Sequence, residues 1–439
     1  MTVPLFAGAA KATITPPVGI DMGGYGGRPG PAAGVHDELE AAALCLHGDS
    51  TVMLLTADLV GLDRATVVEV RRGIEEATGC PAANVMLTCS HTHAGPAMPC
   101  IRSLGEPDAA YLAELKRTLA AIAQLAWERR EPALARASRV PLVFGMNRRD
   151  GNRAAAASDN VDRGTVQPHV EVLRVEEASG SPLAVWMCYS AHPVTLREYN
   201  LLFSADWVGY ARTTVERRLP GAVVLFAQGC CGNTVSWPHD GTYEECERQG
   251  RTFGEAVCAT PRPTCESGTH HVACASEALQ LPLLDPPPVA QARAILAQCR
   301  AARDERWEEA NYGWRQLLAG DVDWAERVRA AAETGATNLT VDYEVQVVRL
   351  GDFAVVGLDG EVFVEYALNL HRGSPFAQTA VTAYSNGNVG YVPTAAAFEA
   401  GGYEVETAIR YYRTLMLKPD CERLILESAT RLLARLHHG

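Results

Sequence analysis

The chain has 439 residues, 47% hydrophobic and 21% charged, which is the balance of an ordinary folded protein and excludes a disordered or fibrous one. Its formal charge of −13 comes from 52 acidic and 39 basic residues with no concentrated basic stripe, which argues against nucleic acid or an anionic membrane surface as a partner. No run of about 18 apolar residues appears, so no membrane span is expected.

The opening MTVPLFAGAAKATITPP has neither a basic n-region nor a long apolar stretch, so no signal peptide is expected. The glycine-rich GGYGGRPG at 23–30 lacks the GK[ST] of a phosphate loop and does not fit GxGxxG. It reads either as a plain surface turn or as a lid over a site. Residues 51–59 form a short β-branched apolar run, a buried strand. A helix over 64–77 follows, stopped by Gly79, and then a strand over 84–88. This rhythm predicts an α/β fold. Residues 108–129 carry Leu112, Leu115, Leu119 and Ile122 at helical spacing. Further strands are expected at 183–189, 222–227, 343–350, 353–358 and 379–384. After Pro286, Pro287 and Pro288, residues 289–334 read as two or three helices, a helical insertion, and a last helix covers 422–436. Charge and hydropathy stay even and no linker or repeat interrupts the chain, so residues 1–439 are expected to be one domain. The 13 cysteines are scattered without a CxxC pair, and reduced thiols in a cytoplasm are the expectation.

Five of these strands run straight into polar clusters. They are Ser90-His91-Thr92-His93-Ala94-Gly95-Pro96, Ser190-Ala191-His192-Pro193, Gln228-Gly229-Cys230-Cys231-Gly232-Asn233, Asp359-Gly360-Glu361 and Ser385-Asn386-Gly387-Asn388-Val389-Gly390-Tyr391. Ligands bind outside the carboxyl ends of strands in α/β folds, so the five could share one rim. His91 and His93, two apart, point to one side of an extended segment. Taken singly, each histidine has an ordinary reading as a turn or core residue, and Glu361 as the first carboxylate of a helix. Together, two or three histidines and one glutamate are the ligand set of a catalytic zinc site. Zinc there would activate water and polarise a carbonyl. No HExxH helix and no GxSxG elbow competes with that reading.

These clusters resemble the neutral/alkaline ceramidase family. Ala7-Gly8-Ala9-Ala10-Lys11-Ala12-Thr13-Ile14-Thr15-Pro16-Pro17 resembles the family's AGxxxxDITP opening, and His91-Thr92-His93-Ala94-Gly95-Pro96 its HTHSGP. Asn147-Arg148, Ala191-His192-Pro193-Val194-Thr195 with Ser204-Ala205-Asp206, Gly360-Glu361, and Tyr391-Val392-Pro393-Thr394 with Gly402-Tyr403-Glu404 follow in the family's order, from about residue 6 to 410. The resemblance implies an α/β fold with a mixed sheet flanked by helices, and a Zn²⁺ held by His91, His192, Glu361 and Tyr391. It gives His93 and Arg148 to the substrate amide. Tyr391 reads alternatively as a hydrogen-bond donor to the reaction intermediate. Asp206 reads either as an acid–base group or as a residue orienting a ligand histidine.

Three departures stand out. Asn233 and Val235 replace the aspartate and serine of the family's GDVSP, leaving Ser236 one place late; Gln167 stands where an aspartate is usual. No counterpart of the family's C-terminal β-sandwich is expected. The expectation is a zinc-dependent amidohydrolase acting on a small soluble N-acyl compound through a metal-activated water. An ester or lactone hydrolase at the same zinc, or a non-catalytic binding protein, are the alternatives. Cys230, Cys231 and Ser236 are the nucleophiles held in reserve, and a homo-oligomer is left open.

Overall fold

The computed structural model describes residues 4–151, 162–259, 265–266 and 271–438. Two β-sheets stack face to face, with helices on both outer surfaces. The larger sheet runs in the spatial order Val223–Gln228, Pro182–Tyr189, His169–Glu177, Glu131–Pro141, Phe6–Thr13, Glu40–His47, Thr51–Ala57 and Val85–Cys89, with Cys265–Glu266 added on Glu131–Pro141. It is mixed: the first and last pairs of that order are parallel, and the rest antiparallel. The smaller sheet is Val272–Pro282, Thr340–Leu350, Phe353–Leu358 and Gln378–Thr382, its last pair parallel.

Strand alternation explains the layering. In Glu40–His47, Ala42, Leu44 and Leu46 face the second sheet and meet Val348, Phe353 and Val355. Ala41, Ala43 and Cys45 face the other way, toward Val67, Val70, Ile74, Leu115, Leu119 and Ile122 of helices Arg64–Thr78 and Ala109–Glu128. A strand buried on both faces reads as an unbroken apolar run. At the far end of the large sheet, helices Trp207–Arg218 and Tyr243–Cys258 bury Trp207, Val208 and Phe253 against Val224 and Phe226. Cys421–His438 and Val364–Gly373 cover the outer face of the small sheet.

The expected elements over 51–59, 64–77, 84–88 and 108–129 appear as Thr51–Ala57, Arg64–Thr78, Val85–Cys89 and Ala109–Glu128. Gly79, at φ 72, stops the first helix as expected. Residues 289–334 form two helices, Val289–Arg306 and Tyr312–Glu333, packed together through Ala292, Leu296, Val322, Ala325 and Val328. Two of the boundary shifts have a local cause. The strand expected to 384 ends at Thr382, because Tyr384 and Asn386 take positive φ and turn the chain away. The helix after Gly360 begins only at Val364, because Glu361–Val362 pairs in parallel with Tyr391–Val392. Glu361 is therefore a strand residue, and its ordinary reading as a helix-start carboxylate does not hold. No helix among the described residues is long and apolar enough to cross a membrane.

Candidate active site

After strand Val85–Cys89 the chain turns sharply, and His91 takes φ 62, a left-handed conformation that costs an L-residue about 1–2 kcal/mol. Its backbone N–H donates to Leu59 O at 2.9 Å and its Nδ1–H to Val60 O at 2.5 Å. His192, just past strand Pro182–Tyr189, is pinned in the same way, with Nδ1–H on the carbonyls of Cys231 (2.7 Å) and Thr234 (3.0 Å). Both rings are left to present Nε2, and both Nε2 atoms face one oxygen, Glu361 Oε2, at 3.6 and 3.3 Å. His93 Nε2 lies 3.1 Å from His91 Nε2, and donor nitrogens of the three histidines all fall within 4.8 Å of one another.

Aromatic rings wall this cluster. Tyr384 stacks on His91 with centroids 3.9 Å apart, its hydroxyl 3.4 Å from Glu361 Oε2 and 3.2 Å from Cys231 Sγ. The Tyr412 hydroxyl donates to Glu361 Oε1. Burial holds His91 down near 3 and His93 well below an ordinary histidine. At His192 burial pulls the same way, but Cys231 and Glu361 outweigh it and raise the ring to about 10. Burial would raise the Glu361 carboxyl; His91, His192 and Tyr412 prevail and bring it to about 2.

Arg148 forms the neighbouring wall. Nε donates to Glu404 Oε1 at 2.7 Å, and Nη2 to Gly232 O at 2.6 Å and to the Tyr391 hydroxyl at 3.0 Å. Arg149 holds the other Glu404 oxygen at 2.7 Å. Burial opposes the Glu404 charge, but the two arginines keep that carboxyl below its ordinary value. Burial keeps the Tyr391 phenol well above its ordinary value and so protonated at neutral pH. A cavity of about 760 Å³ opens beside Arg148, bounded also by Asn147, Arg149, Asn233, Tyr403 and Glu404.

The glycine-rich stretch does cover this group. Tyr25 meets the His93 ring edge-on at 4.9 Å, and Arg28 donates to the His93 carbonyl. Helix Tyr312–Glu333 sits on the outside of the loop, with Gly313 N–H donating to Arg28 O at 2.8 Å.

His91, His93, His192, Glu361, Arg148 and Tyr391 are thus brought together. Asp206 is not. Its carboxylate accepts the backbone N–H of Leu196 at 2.9 Å and of Trp207 at 2.7 Å, capping helix Trp207–Arg218, and none of its hydrogen bonds reaches a histidine. The expectation that Asp206 acts on the reaction or orients a ligand histidine is corrected: one oxygen caps the helix and the other holds the Leu196 N–H of the loop after His192. Among the reserve nucleophiles, Ser236 Oγ pairs with Thr195 Oγ1 at 2.9 Å, and burial holds the Cys230 thiol well above its ordinary value, hence protonated. Asn233 also explains itself: its amide nitrogen donates to both Glu365 oxygens at 3.1 and 2.9 Å, and an aspartate there would meet a like charge. Sequence reading missed Tyr384, Tyr412 and the role of Glu404. Tyr384 ends an expected strand and Glu404 stands in a quoted motif, but nothing local marks Tyr412.

The donor set suits a cation. Two imidazoles are oriented by backbone carbonyls, as metal-bound histidines are, and both face one carboxylate oxygen, with the His93 ring alongside. Imidazoles, a carboxylate and a fixed guanidinium on one buried rim are the equipment of a hydrolase. Residues 6–278 match the neutral/alkaline non-lysosomal ceramidase N-terminal model, and the chain belongs to that family. This membership makes it a hydrolase of the amide-bond class. Among solved structures, the neutral ceramidase from Pseudomonas aeruginosa is similar at 18% identity with a TM-score of 0.72, covering 99% of this chain and 75% of that one. A ceramidase complexed with C2 is similar at 16% identity with a TM-score of 0.74, covering 99% and 76%. At such identities the likeness establishes the fold. A comparison with curated proteins finds no match.

Proposed function

We propose that the chain is a zinc-dependent amidohydrolase of small, soluble N-acyl compounds. The observation that carries this reading is the shared aim of His91 Nε2 and His192 Nε2 at one Glu361 oxygen, each ring fixed from behind by a carbonyl. Zinc bound there would supply Lewis acidity and a water acidic enough to react near neutrality. His91, His192 and Glu361 hold it. Tyr391 stands in register with Glu361 and either completes the set or, as a neutral phenol, donates its proton to the substrate oxygen. Arg148, permanently charged and held on three sides, faces developing negative charge on the former carbonyl oxygen. His93, kept neutral by burial, orients the amide or takes a proton from the attacking water.

Asn147, Arg149, Asn233 and Glu404 give the cavity beside Arg148 a polar side, and Phe363, Ala396, Ala397 and Ala400 an apolar one, which suits a compound with a polar head and an acyl group. Twelve of the thirteen cysteines are free thiols, which supports a reducing, cytoplasmic setting. The test pairs elemental analysis with a screen of N-acyl amino sugars, N-acyl amino acids, matched esters and ceramide. His192→Ala should lose one zinc per chain and all turnover. Equal metal content in both proteins would overturn the metal reading; preferred cleavage of ceramide or of the esters would overturn the substrate reading.

A further inference from the structure

A second group of ligand-type side chains shares no residue with the site above. His169 and Glu171 lie two apart on strand His169–Glu177, on the face that Leu173 and Val175 turn toward the small sheet. His371 reaches them from the last turn of helix Val364–Gly373. His169 Nε2 stands 2.8 Å and His371 Nε2 3.8 Å from the same oxygen, Glu171 Oε1. One ligand atom from each of the three lies within 4.8 Å of the other two. Zinc bonds of about 2.0–2.2 Å at tetrahedral angles place ligand atoms roughly 3.3–3.6 Å apart, between the two observed separations.

Two features single this group out from a plain ion-pair network. The His371 side chain is only 8% exposed, yet neither ring nitrogen has a hydrogen-bond partner among the described residues. A buried polar group left so is costly unless something else satisfies it. Glu171, fully buried, is already oriented from behind: Arg139 Nε donates to Oε1 at 3.0 Å and Gln378 Nε2 to Oε2 at 2.5 Å. That is the arrangement of a ligand carboxylate held by outer hydrogen bonds. The titratable groups around the carboxylate are Arg139 and Cys188 on the two adjacent strands, His169 beside it and His371 from the helix.

We propose that His169, Glu171 and His371 form a second site for a divalent transition-metal ion, of which zinc is the best match to two imidazoles and a carboxylate. The side chain of His169 is 18% exposed, so the group can be reached from solvent on that side. The ion would tie the edge of the large sheet to the helix covering the small one. Arg139 lies against the same carboxylate and repels a cation, so this site binds more weakly than the first, and Arg139→Gln should tighten it.

Isothermal titration of zinc into metal-stripped His192→Ala tests this without relying on the first site. One equivalent should bind, and His192→Ala/His371→Ala should bind none. His371→Ala alone should keep wild-type turnover, and His169→Ala gives an independent loss of the same equivalent. Far-ultraviolet circular dichroism confirms folding of each variant. No binding by His192→Ala, or an equivalent that survives both His371→Ala and His169→Ala, overturns the proposal.

Discussion

At the scale of the residue, the site depends on how few alternatives each side chain has. Arg148 is committed to Glu404, Gly232 and Tyr391 at once, a geometry that needs the planar fork of a guanidinium. Arg148→Lys keeps the charge but cannot keep all three contacts. If Arg148 acts on the transition state, kcat should fall roughly 10²–10³-fold with KM changed much less, as when an oxyanion donor is lost. Steady-state kinetics on the best substrate of the screen decides it, and an effect confined to KM would make Arg148 a binding residue. Asp206 supplies a second prediction, of stability. Burial raises its carboxyl from 3.8 to about 6, so between those values the folded chain holds a proton that the unfolded chain has lost. Its contribution to stability therefore falls as pH rises from about 4 to about 6 and stays low above. Asp206→Asn keeps an acceptor for the Trp207 N–H, gives up the one for the Leu196 N–H at a cost that does not vary with pH, and removes that dependence. Relative to wild type, the variant should gain stability across this window, by on the order of 3 kcal/mol for a shift of about two units. Urea unfolding at the two ends of the window measures it; a constant difference would show that Asp206 titrates normally.

At the scale of the element, legibility followed chemistry more than propensity. His91, His192 and Glu361 were readable because each follows a strand that announces itself. Val85–Cys89 and Pro182–Tyr189 are apolar and buried almost throughout. Glu40–His47 was not legible, since an alanine-rich EAAALCLH has no β preference and becomes a strand only between two neighbours. Tyr412 sits on a four-residue helix and reaches Glu361 only through tertiary packing, which no local pattern encodes. Asp206 misled for the converse reason: a motif match placed it, while its oxygens serve the backbone. The loop at 23–30 is the element most open to test. Gly24 has φ 88, and a Cβ there would come within 2.6–2.8 Å of His93 atoms. Gly24→Ala should cost roughly 1–3 kcal/mol and displace His93, lowering turnover together with stability. Gly30→Ala, where a Cβ meets nothing within 4 Å, is the control that should leave both unchanged. Equal behaviour of the two would show that the loop does not hold His93.

At the scale of the whole molecule, fold and centre are separable. The core lies between two sheets and under six helices, and the layer between the sheets is built from residues such as Leu44, Trp186, Val348 and Phe353, none of them a candidate ligand. A chain of this size buries enough apolar surface to fold without a cation, unlike a small zinc-dependent domain. The ligands are also held in place from behind, by carbonyls on His91 and His192 and by Tyr412 on Glu361. Stripping the metal should therefore abolish turnover and leave the fold. A ligand present at a hundred times its dissociation constant stabilises by about 2.7 kcal/mol. Unfolding entropy near 2.1 cal/mol/K per residue gives roughly 0.9 kcal/mol/K for a chain of this length. The expected fall in Tm on chelation is then about 3 °C for one site, read by calorimetry beside an activity assay. Readdition of zinc should restore both. Loss of the cooperative transition on chelation would mean that the two sheets need the ion to stay together, and that the imidazole cage is part of the scaffold as well as of the chemistry.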